Sequence, residues 1–253
     1  MKIGLIICAY NCQDTIEECL RPWVELNHEG VELEFAVVSV RFNTFPEREN
    51  ITTIKKLMPF MLQTRGVIME YPTSLSETDC RNMGLTYLLD KKVDLVWILD
   101  ADELYTKDQI LKTIKRVEEN PLTVWWRIPF KNYIFEGKHW IDGFCPPRIF
   151  RVSVGDKILS EFYWDNDVNY KNIEGDHTFD YQTLASSMIP KGIAHVRHLT
   201  WLHSNSKAKI EHQLAHYKQC SYRWNETEQK VELNTEFYKT HNQPLPIIEK
   251  DTE

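Results

Sequence analysis

The chain contains the run Val93-Asp-Leu-Val-Trp-Ile-Leu-Asp-Ala-Asp-Glu103, in which an apolar stretch ends in three acids. Leu95 to Leu99 is rich in β-formers, which is typical of a strand in a parallel sheet covered on both faces. In open α/β sheets, ligands bind at the carboxyl ends of the strands. Asp100, Asp102 and Glu103 repel one another unless a cation joins them, and Mg²⁺ and Mn²⁺ prefer oxygen ligands. The run therefore predicts a strand that ends at a metal site. The alternative is that Asp102 and Glu103 only cap and charge the first turn of the helix at Lys107–Glu119.

Apolar runs and helical spacing alternate on both sides of this segment. The predicted strands are Lys2–Ala9, Leu33–Val40, Gly66–Tyr71 and Leu95–Leu99, and the predicted helices are Asp14–Leu26, Ile51–Gln63, Ser76–Asp90 and Lys107–Glu119. A break is considered at Pro22 within the first helix. This alternation predicts a mostly parallel sheet with crossover helices, the α/β class.

The pattern changes after Pro121. Short strands without long helices between them predict a smaller antiparallel extension, at Thr123–Phe130, Asn132–Phe135, Arg148–Val152 and Glu161–Trp164, and helical spacing returns at Ser206–Trp224. We expect one domain over residues 1–224, with a nucleotide-binding half (1–120) and an acceptor-side half (121–224). Residues 225–253 carry seven acids against three lysines and are expected to form a loosely packed, polar acidic tail.

Composition limits the class of protein. At 253 residues and 42% hydrophobic content, the chain is long enough for one large core, and its net charge of -7 excludes a broad basic field for duplex nucleic acid. Six cysteines without a CxxC pair predict reduced thiols and a cytoplasmic location. The apolar start stops at Tyr10, so it is interpreted as a strand and not a signal sequence. No run reaches the roughly 20 apolar residues that span a bilayer, so we expect at most peripheral membrane association.

Several segments together resemble the family 2 glycosyltransferases, enzymes with the nucleotide-sugar-binding GT-A fold. They are Ile6-Ile-Cys-Ala-Tyr-Asn11 with Thr15-Ile-Glu-Glu-Cys-Leu20, Cys80-Arg-Asn-Met-Gly-Leu85, Ile98-Leu-Asp-Ala-Asp-Glu103 at the place of the DxD motif, and Pro147-Arg-Ile-Phe-Arg151. The resemblance covers about residues 1 to 220. It implies a GT-A-like sheet flanked by helices, with the antiparallel extension and a helical C-terminal region.

The resemblance also implies roles at the donor site. Asp102 is the expected ligand of a divalent cation, Mn²⁺ or Mg²⁺, and Asp100 with Ala101 is expected on the nucleoside side. The remaining donor-binding residues are expected to be Ala9, Tyr10 and Asn11, which line the base pocket, and Arg81, which braces the pyrophosphate or the aspartates. The sequence departs from the family at Ser39-Val-Arg-Phe-Asn-Thr-Phe45, where the usual acid that reads the base is missing. Glu70 and Asp79 are the candidate substitutes.

Histidines cluster in His195-Val-Arg-His-Leu-Thr-Trp-Leu-His203. In related folds a histidine from this region completes the metal site, and imidazole suits Mn²⁺, so His198 and then His203 are the candidate ligands. The alternative for each is a core or surface histidine. His212 and His216 share a helix face but lack the glutamate of a zinc-protease motif. Lys207, Lys209 and Lys218 are interpreted as a solvated helix face, with contact to the diphosphate as the alternative.

The acceptor side offers carboxylates and aromatic rings. An inverting transfer needs a base for the acceptor hydroxyl, and Glu161, then Asp142, are the candidates. Trp140 is a candidate for stacking against the acceptor sugar, with core packing as the alternative.

Taken with these residues, the resemblance implies a metal-dependent, inverting glycosyltransferase whose partners are a nucleotide-sugar donor, with UDP favoured, and a glycan or other hydroxyl acceptor. A nucleotidyltransferase is one alternative, although Ala9-Tyr-Asn-Cys12 lacks its glycine-rich loop. A non-catalytic glycan-binding or scaffolding relic of the fold is the other.

Overall fold

Strands and helices alternate along the first half of the chain, as the sequence predicts. The computed structural model describes residues 1–42, 50–134, 139–142, 145–152, 156–158, 170–172, 178–179, 186–199, 206–218 and 220–250. The first elements are β1 (Ile3–Cys8), α1 (Ile16–His28), β2 (Leu33–Val38), α2 (Ile51–Met61), β3 (Gly66–Met69), α3 (Glu77–Asp90), β4 (Leu95–Asp100), β5 (Glu103–Leu104) and α4 (Lys107–Glu118). Each predicted strand and helix of this half is confirmed, with ends that shift by a few residues.

The helix α1 continues through Pro22, so the break considered at this residue does not occur. A proline inside a helix removes one backbone hydrogen bond. Burial of Leu20 and Trp23 against the sheet supplies the compensating stabilisation, because packing of an apolar face outweighs local propensity in most protein helices.

In the second half, the described residues form short strands and two helices. They are β6 (Trp125–Arg127), β7 (Phe130–Ile134), β8 (His139–Asp142), β9 (Pro147–Arg151), β10 (Asp156–Ile158), β11 (Tyr170–Asn172), β12 (Thr178–Phe179), β13 (Ser186–Met188), β14 (Val196–His198), α5 (Ser206–Tyr217), β15 (Tyr222–Asn225), β16 (Lys230–Leu233), α6 (Thr235–Thr240) and β17 (Glu249–Lys250). The single strand predicted over Thr123–Phe130 is wrong, since Ile128 and Pro129 separate β6 from β7. The strand predicted at Glu161–Trp164 lies outside the described residues.

The strands form one large sheet with a parallel centre. Its order is β13-β6-β9-β4-β1-β2-β3, and β4, β1, β2 and β3 are parallel neighbours. β9 joins antiparallel to β4 and to β6. A second sheet of order β17-β8-β7-β14-β5 forms the predicted antiparallel extension, although β14 and β7 pair in parallel within it. The predicted mixed α/β class with a largely parallel sheet is therefore confirmed.

Two apolar layers hold the large sheet. One contains side chains of α1, α2 and α4, with Trp23, Trp97 and Tyr105 packed edge to face at centroid distances of 4.8 to 5.7 Å. The other packs Leu85 and Leu88 of α3 on the opposite face. None of the helices in the described ranges is long and apolar enough to cross a bilayer.

The C-terminal region departs from the expectation in two places. The helix predicted over Ser206–Trp224 ends at Tyr217, because Lys218 has the left-handed φ of 59°, and β15 follows. β15 and β16 form a hairpin across the predicted boundary at residue 224, and its Val231 is buried beside Ile210 of α5. The expected loose packing of the tail is therefore wrong up to Leu233.

Candidate functional site

The acids of the Asp100–Glu103 segment lie at the carboxyl edge of the parallel strands. β1 and β4 pair in register, so Cys8 lies opposite Asp100 and the chain segments that follow both strands leave the sheet side by side. The next helix begins with a capping box between Thr106 and Gln109. The alternative that Asp102 and Glu103 cap this helix is therefore wrong, because Thr106 holds the cap.

Two arginines hold Asp100. Arg148 Nη2 donates to Asp100 Oδ2 at 2.6 Å, and Arg81 Nη2 donates to Asp100 Oδ1 at 3.2 Å. Both guanidinium groups are buried, and Arg81 also pairs with Glu77 one turn earlier on α3. Burial alone would raise the pKa of Asp100, but Arg148 and then Arg81 outweigh it and lower the pKa. Arg81 thus contacts the first of the two aspartates, Asp100.

Glu103 forms the inner end of this ion network. Its side chain is fully buried, and Oε1 accepts from Arg148 Nε at 2.8 Å and from Arg148 Nη2 at 2.5 Å. Oε2 accepts from the Tyr105 hydroxyl at 3.3 Å. Burial raises the pKa of Glu103, and Arg148 opposes that shift. Glu103 therefore anchors Arg148 from inside the fold and is not accessible to solvent.

Asp102 and His198 meet although 96 positions separate them along the chain. β14 pairs with β5, which sets His198 opposite Glu103, and the Leu199 N–H donates to the Asp102 carbonyl at 2.9 Å. These backbone bonds bring His198 Nε2 to 3.7 Å from Asp102 Oδ1. Two ligands that are each about 2.1 Å from one ion lie about 3 to 4 Å apart, so this pair has the spacing of two ligands of one cation.

The neighbouring Asn132 fixes the orientation of the imidazole. His198 Nδ1 donates to Asn132 Oδ1 at 2.7 Å, since an amide oxygen only accepts. The neutral ring then carries its lone pair on Nε2, the atom that faces Asp102. Burial lowers the pKa of His198 to about 4, although Asp102 opposes that shift. At neutral pH the imidazole is therefore uncharged, as a metal ligand must be.

A positively charged side chain also lies near Asp102. Lys209 of α5 places Nζ 3.7 Å from Asp102 Oδ2. The solvated helix face expected for Lys209 is therefore wrong for this residue, whereas Lys207 pairs with the exposed Glu226 at 2.6 Å. Within the described ranges, no group of three or more His, Cys, Asp or Glu side chains is arranged to hold a metal ion. The candidate ligand His203 lies outside those ranges.

The loop after β1 holds the predicted nucleoside-binding residues. Asn11 has a left-handed φ of 52°, and its N–H donates to Asn50 Oδ1 at 2.8 Å. Asn50 Nδ2 donates to Ser39 Oγ at 2.7 Å, and Ser39 Oγ donates to the Ala9 carbonyl at 3.0 Å. Uncharged amide and hydroxyl groups thus anchor the loop after β1. Tyr10 lies between the two anchored residues, half-buried.

The predicted acceptor-side residues lie elsewhere in the second sheet. Lys131 of β7 pairs with Asp142, whereas the adjacent Asn132 pairs with His198. Adjacent strand residues point to opposite faces, so Asp142 lies on the face opposite His198. Its oxygens meet Lys191 Nζ at 2.5 Å and His195 Nε2 at 3.2 Å.

Trp140 shares the Asp142 face of this sheet. It is only 8% exposed, with Lys131 Nζ 4.7 Å from its ring centroid and His195 in edge contact at 5.1 Å. The structure thus gathers Asp100, Ala101, Asp102, Arg81 and His198 at one edge and separates Asp142 and Trp140 from them. Glu161, the other candidate base, lies outside the described residues.

Sequence reasoning missed three residues of this region, namely Glu103 as an anchor, Arg148 and Asn132. Arg148 carries a signal in the sequence, because it belongs to the Pro147-Arg-Ile-Phe-Arg151 segment. Asn132 carries none, since only the pairing of β7 with β14 brings it beside His198.

Comparisons with known proteins give the following. No protein-family model matches the chain, and no curated protein sequence matches it. Among solved structures, the chain is similar to S. aureus TarS 1-349 in complex with UDP-GlcNAc, with a TM-score of 0.41, 18% identity, and coverage of 52% of this chain and 35% of that one. It is also similar to the mannosyltransferase PcManGT from Pyrobaculum calidifontis in complex with GDP-Man and Mn²⁺. The TM-score is 0.42 and the identity 16%, with coverage of 59% of this chain and 44% of that one.

A third similar structure is mannosyl-3-phosphoglycerate synthase from Rubrobacter xylanophilus, with a TM-score of 0.41, 16% identity, and coverage of 52% of this chain and 41% of that one. The chain thus spans less than half the length of each of these three structures.

Proposed function

We propose that this protein is a metal-dependent glycosyltransferase that moves a sugar from a nucleotide donor, UDP-linked by preference, to an acceptor hydroxyl with inversion. The observation that carries the proposal is the oriented pair of Asp102 and His198 at the carboxyl edge of the sheet. A carboxylate oxygen and a neutral imidazole nitrogen suit Mn²⁺, and the oxygens of a diphosphate complete such a coordination shell.

Each residue has a defined part in this proposal. When bound, Mn²⁺ or Mg²⁺ supplies Lewis-acid stabilisation of the charge that develops on the leaving diphosphate. Asp102 and His198 hold the cation, and Asn132 keeps the imidazole in the tautomer that binds it. Arg81 and Arg148 fix Asp100 beside the donor. Ala9, Tyr10 and Asn11 line the nucleoside side of the same edge, on a loop that Asn50 and Ser39 anchor.

For the base that takes the proton from the acceptor hydroxyl, we favour Glu161 over Asp142. The contacts of Asp142 support this choice, because the carboxylate is paired with Lys191 and faces away from His198. We expect Glu161→Gln to lose turnover while it retains nucleotide binding, and Asp142→Asn to retain both. Loss of turnover in Asp142→Asn alone would reverse the assignment.

The test of the donor site is calorimetric titration of UDP and of GDP with and without Mn²⁺. We expect binding that needs Mn²⁺ in the natural protein and that is lost in Asp102→Asn and in His198→Leu. Asp108→Asn is the matched control, since this exposed carboxylate on α4 pairs only with Lys112 among the ion pairs described. Metal-independent binding that is equal in all variants would contradict the proposal.

Product analysis then separates the enzyme classes. A glycosyltransferase releases the nucleoside diphosphate from a UDP-sugar. Release of pyrophosphate from a nucleoside triphosphate in the presence of a sugar phosphate would instead indicate a nucleotidyltransferase. Metal-dependent UDP binding without release of either the nucleoside diphosphate or pyrophosphate would indicate a non-catalytic binding protein.

A further inference from the structure

The Lys209 ammonium group lies beside Asp102, the carboxylate that would also bind a divalent cation. Both oxygens of Asp102 have a nitrogen neighbour at 3.7 Å, His198 Nε2 at Oδ1 and Lys209 Nζ at Oδ2. Asp102 has a side-chain exposure of only 13%. A carboxylate that is mostly removed from water needs a nearby positive charge, and Lys209 provides one at the very residue that is the proposed metal ligand.

The packing of α5 directs Lys209 to this place. Its neighbour Ile210 is 3% exposed and packs in one apolar cluster with Ile134 and Ile141 of the second sheet. These residues lie on the same sheet face as Asn132 and His198, because Asn132 pairs with Ile141. The helix is therefore anchored on the His198 side of the sheet, and the position of Lys209 follows from that docking.

An ammonium and a divalent cation do not share one carboxylate at close range without strong repulsion. Lys209 is attached through a flexible four-carbon stem and is 30% exposed, so its Nζ can move without rearrangement of α5. Removal of its charge would therefore strengthen binding of the metal alone. A donor diphosphate brings negative charge to the same place and offers the displaced ammonium a new partner.

We propose that Lys209 is the resident counter-cation of Asp102, that a divalent cation displaces it, and that the displaced ammonium then pairs with the diphosphate of the donor. The last two steps rest on the proposed function, whereas the first does not. The consequence is positive coupling between metal and nucleotide binding. The metal frees the Lys209 ammonium to pair with the diphosphate, and the diphosphate holds that ammonium away from the metal. Lys209 is thus a positioning residue that couples binding of the metal to binding of the donor.

The chain contains a matched control on the same helix. Lys207 lies two positions earlier on α5, and its Nζ pairs with the exposed Glu226 at 2.6 Å. Lys207→Gln and Lys209→Gln make the same change in residue type and in net charge. Any difference between them in metal binding therefore reports the location of the charge and not its amount.

The experiment is Mn²⁺ titration followed by the electron paramagnetic resonance signal of free aqueous Mn²⁺, without any nucleotide. For Lys209→Gln we expect about tenfold tighter Mn²⁺ binding than in the natural protein, because one like charge a few ångströms from the ion is removed. We expect no change for Lys207→Gln, and affinity close to that of the natural protein for Lys209→Arg, which keeps the charge. Equal affinity in both glutamine variants, weaker binding in Lys209→Gln, or no Mn²⁺ binding in any variant would overturn the proposal.

A second titration adds UDP at a fixed saturating concentration. In the natural protein UDP should tighten Mn²⁺ binding, and in Lys209→Gln this gain should shrink about tenfold, because the ammonium that pairs with the diphosphate is absent. An unchanged gain would overturn the diphosphate step. If UDP has no effect on any variant while the metal-only difference stands, the displacement of Lys209 is retained and the proposed donor is wrong.

Discussion

His198 donates its Nδ1–H to Asn132 Oδ1 at 2.7 Å, and this single bond decides which imidazole nitrogen faces Asp102. Asn132 and His198 lie on neighbouring strands in register, with both side chains buried. A partner behind a metal-binding imidazole fixes the tautomer and the ring orientation. Asn132 is therefore as much a part of the candidate metal site as the two ligands in front of it.

Substitution Asn132→Leu removes the acceptor and keeps the volume nearly constant. We expect Mn²⁺ affinity to fall by about 10- to 100-fold, the range typical for partners behind metal-binding histidines. Asn132→Asp keeps an acceptor at the same place and should restore most of the binding. Long-range ¹H–¹⁵N correlation of the His198 ring provides a readout independent of affinity. A ring that stays protonated at Nδ1 in Asn132→Leu would show that Asn132 does not set the tautomer.

Arg148 joins two carboxylates of the acid segment, the partly exposed Asp100 and the fully buried Glu103. Arg148→Met leaves both without their strongest partner, so we expect the free energy of unfolding to fall by about 3 to 5 kcal/mol. Urea denaturation measures this change. Arg223→Met is the control, because its pair with Glu232 lies on an exposed hairpin, where a loss of about 1 kcal/mol or less is expected.

A further substitution distinguishes charge from packing at this position. Adding Glu103→Gln to Arg148→Met replaces the carboxyl group that Arg148 held with a neutral amide, and the double variant should lose less stability than the sum of the two single variants. If the double variant loses as much free energy of unfolding as the two single variants together, the two residues do not act as a pair.

Asn50 holds the backbone of the loop after β1. Asn50→Ala leaves the Asn11 N–H without this acceptor, and we expect a loss of about 1 kcal/mol in stability together with weaker nucleotide binding. Asn50→Asp keeps the acceptor for Asn11 but loses the donor to Ser39, so it should bind nucleotide more tightly than Asn50→Ala. Calorimetric Kd values for both variants check the order. Equal Kd values in the two variants would show that the bond to Asn11 does not shape the nucleoside site.

Cys12, in the same loop, should remain a thiol at pH values where ordinary cysteines ionise. Burial, with Asp102 as the next contribution, raises its pKa to about 12 from an ordinary value of 9.0. A raised folded-state pKa stabilises the protein fully below pH 9, and this contribution is lost as the pH rises toward 12. We expect slow alkylation of Cys12 by iodoacetamide at pH 8.5 in the folded protein, followed by peptide mass spectrometry, and ordinary rates in urea. Rapid modification of the folded chain would contradict this expectation.

Some features of this protein follow from the sequence by itself. Apolar runs and helical spacing fixed the four strands and four helices of the first half, and the acids placed directly after Leu95–Leu99 marked the edge of the sheet where ligands bind. These patterns are local, because the side-chain periods of 2 and 3.6 depend only on neighbouring positions. The same patterns put Asp100 and Asp102 directly after a strand, whereas Arg81 was expected beside them from the family resemblance, and in the structure it contacts Asp100.

Only the tertiary structure decided which distant residues join them. The pairing of β14 with β5 and β7 brought His198 to Asp102 and Asn132, and the pairing of β9 with β4 brought Arg148 to Glu103. Strand periodicity tells which side chains share a face, but it does not tell which strand lies beside which. For the same reason Asp142, plausible as a base in the sequence, faces away from His198, since strand register determines which sheet face each side chain occupies.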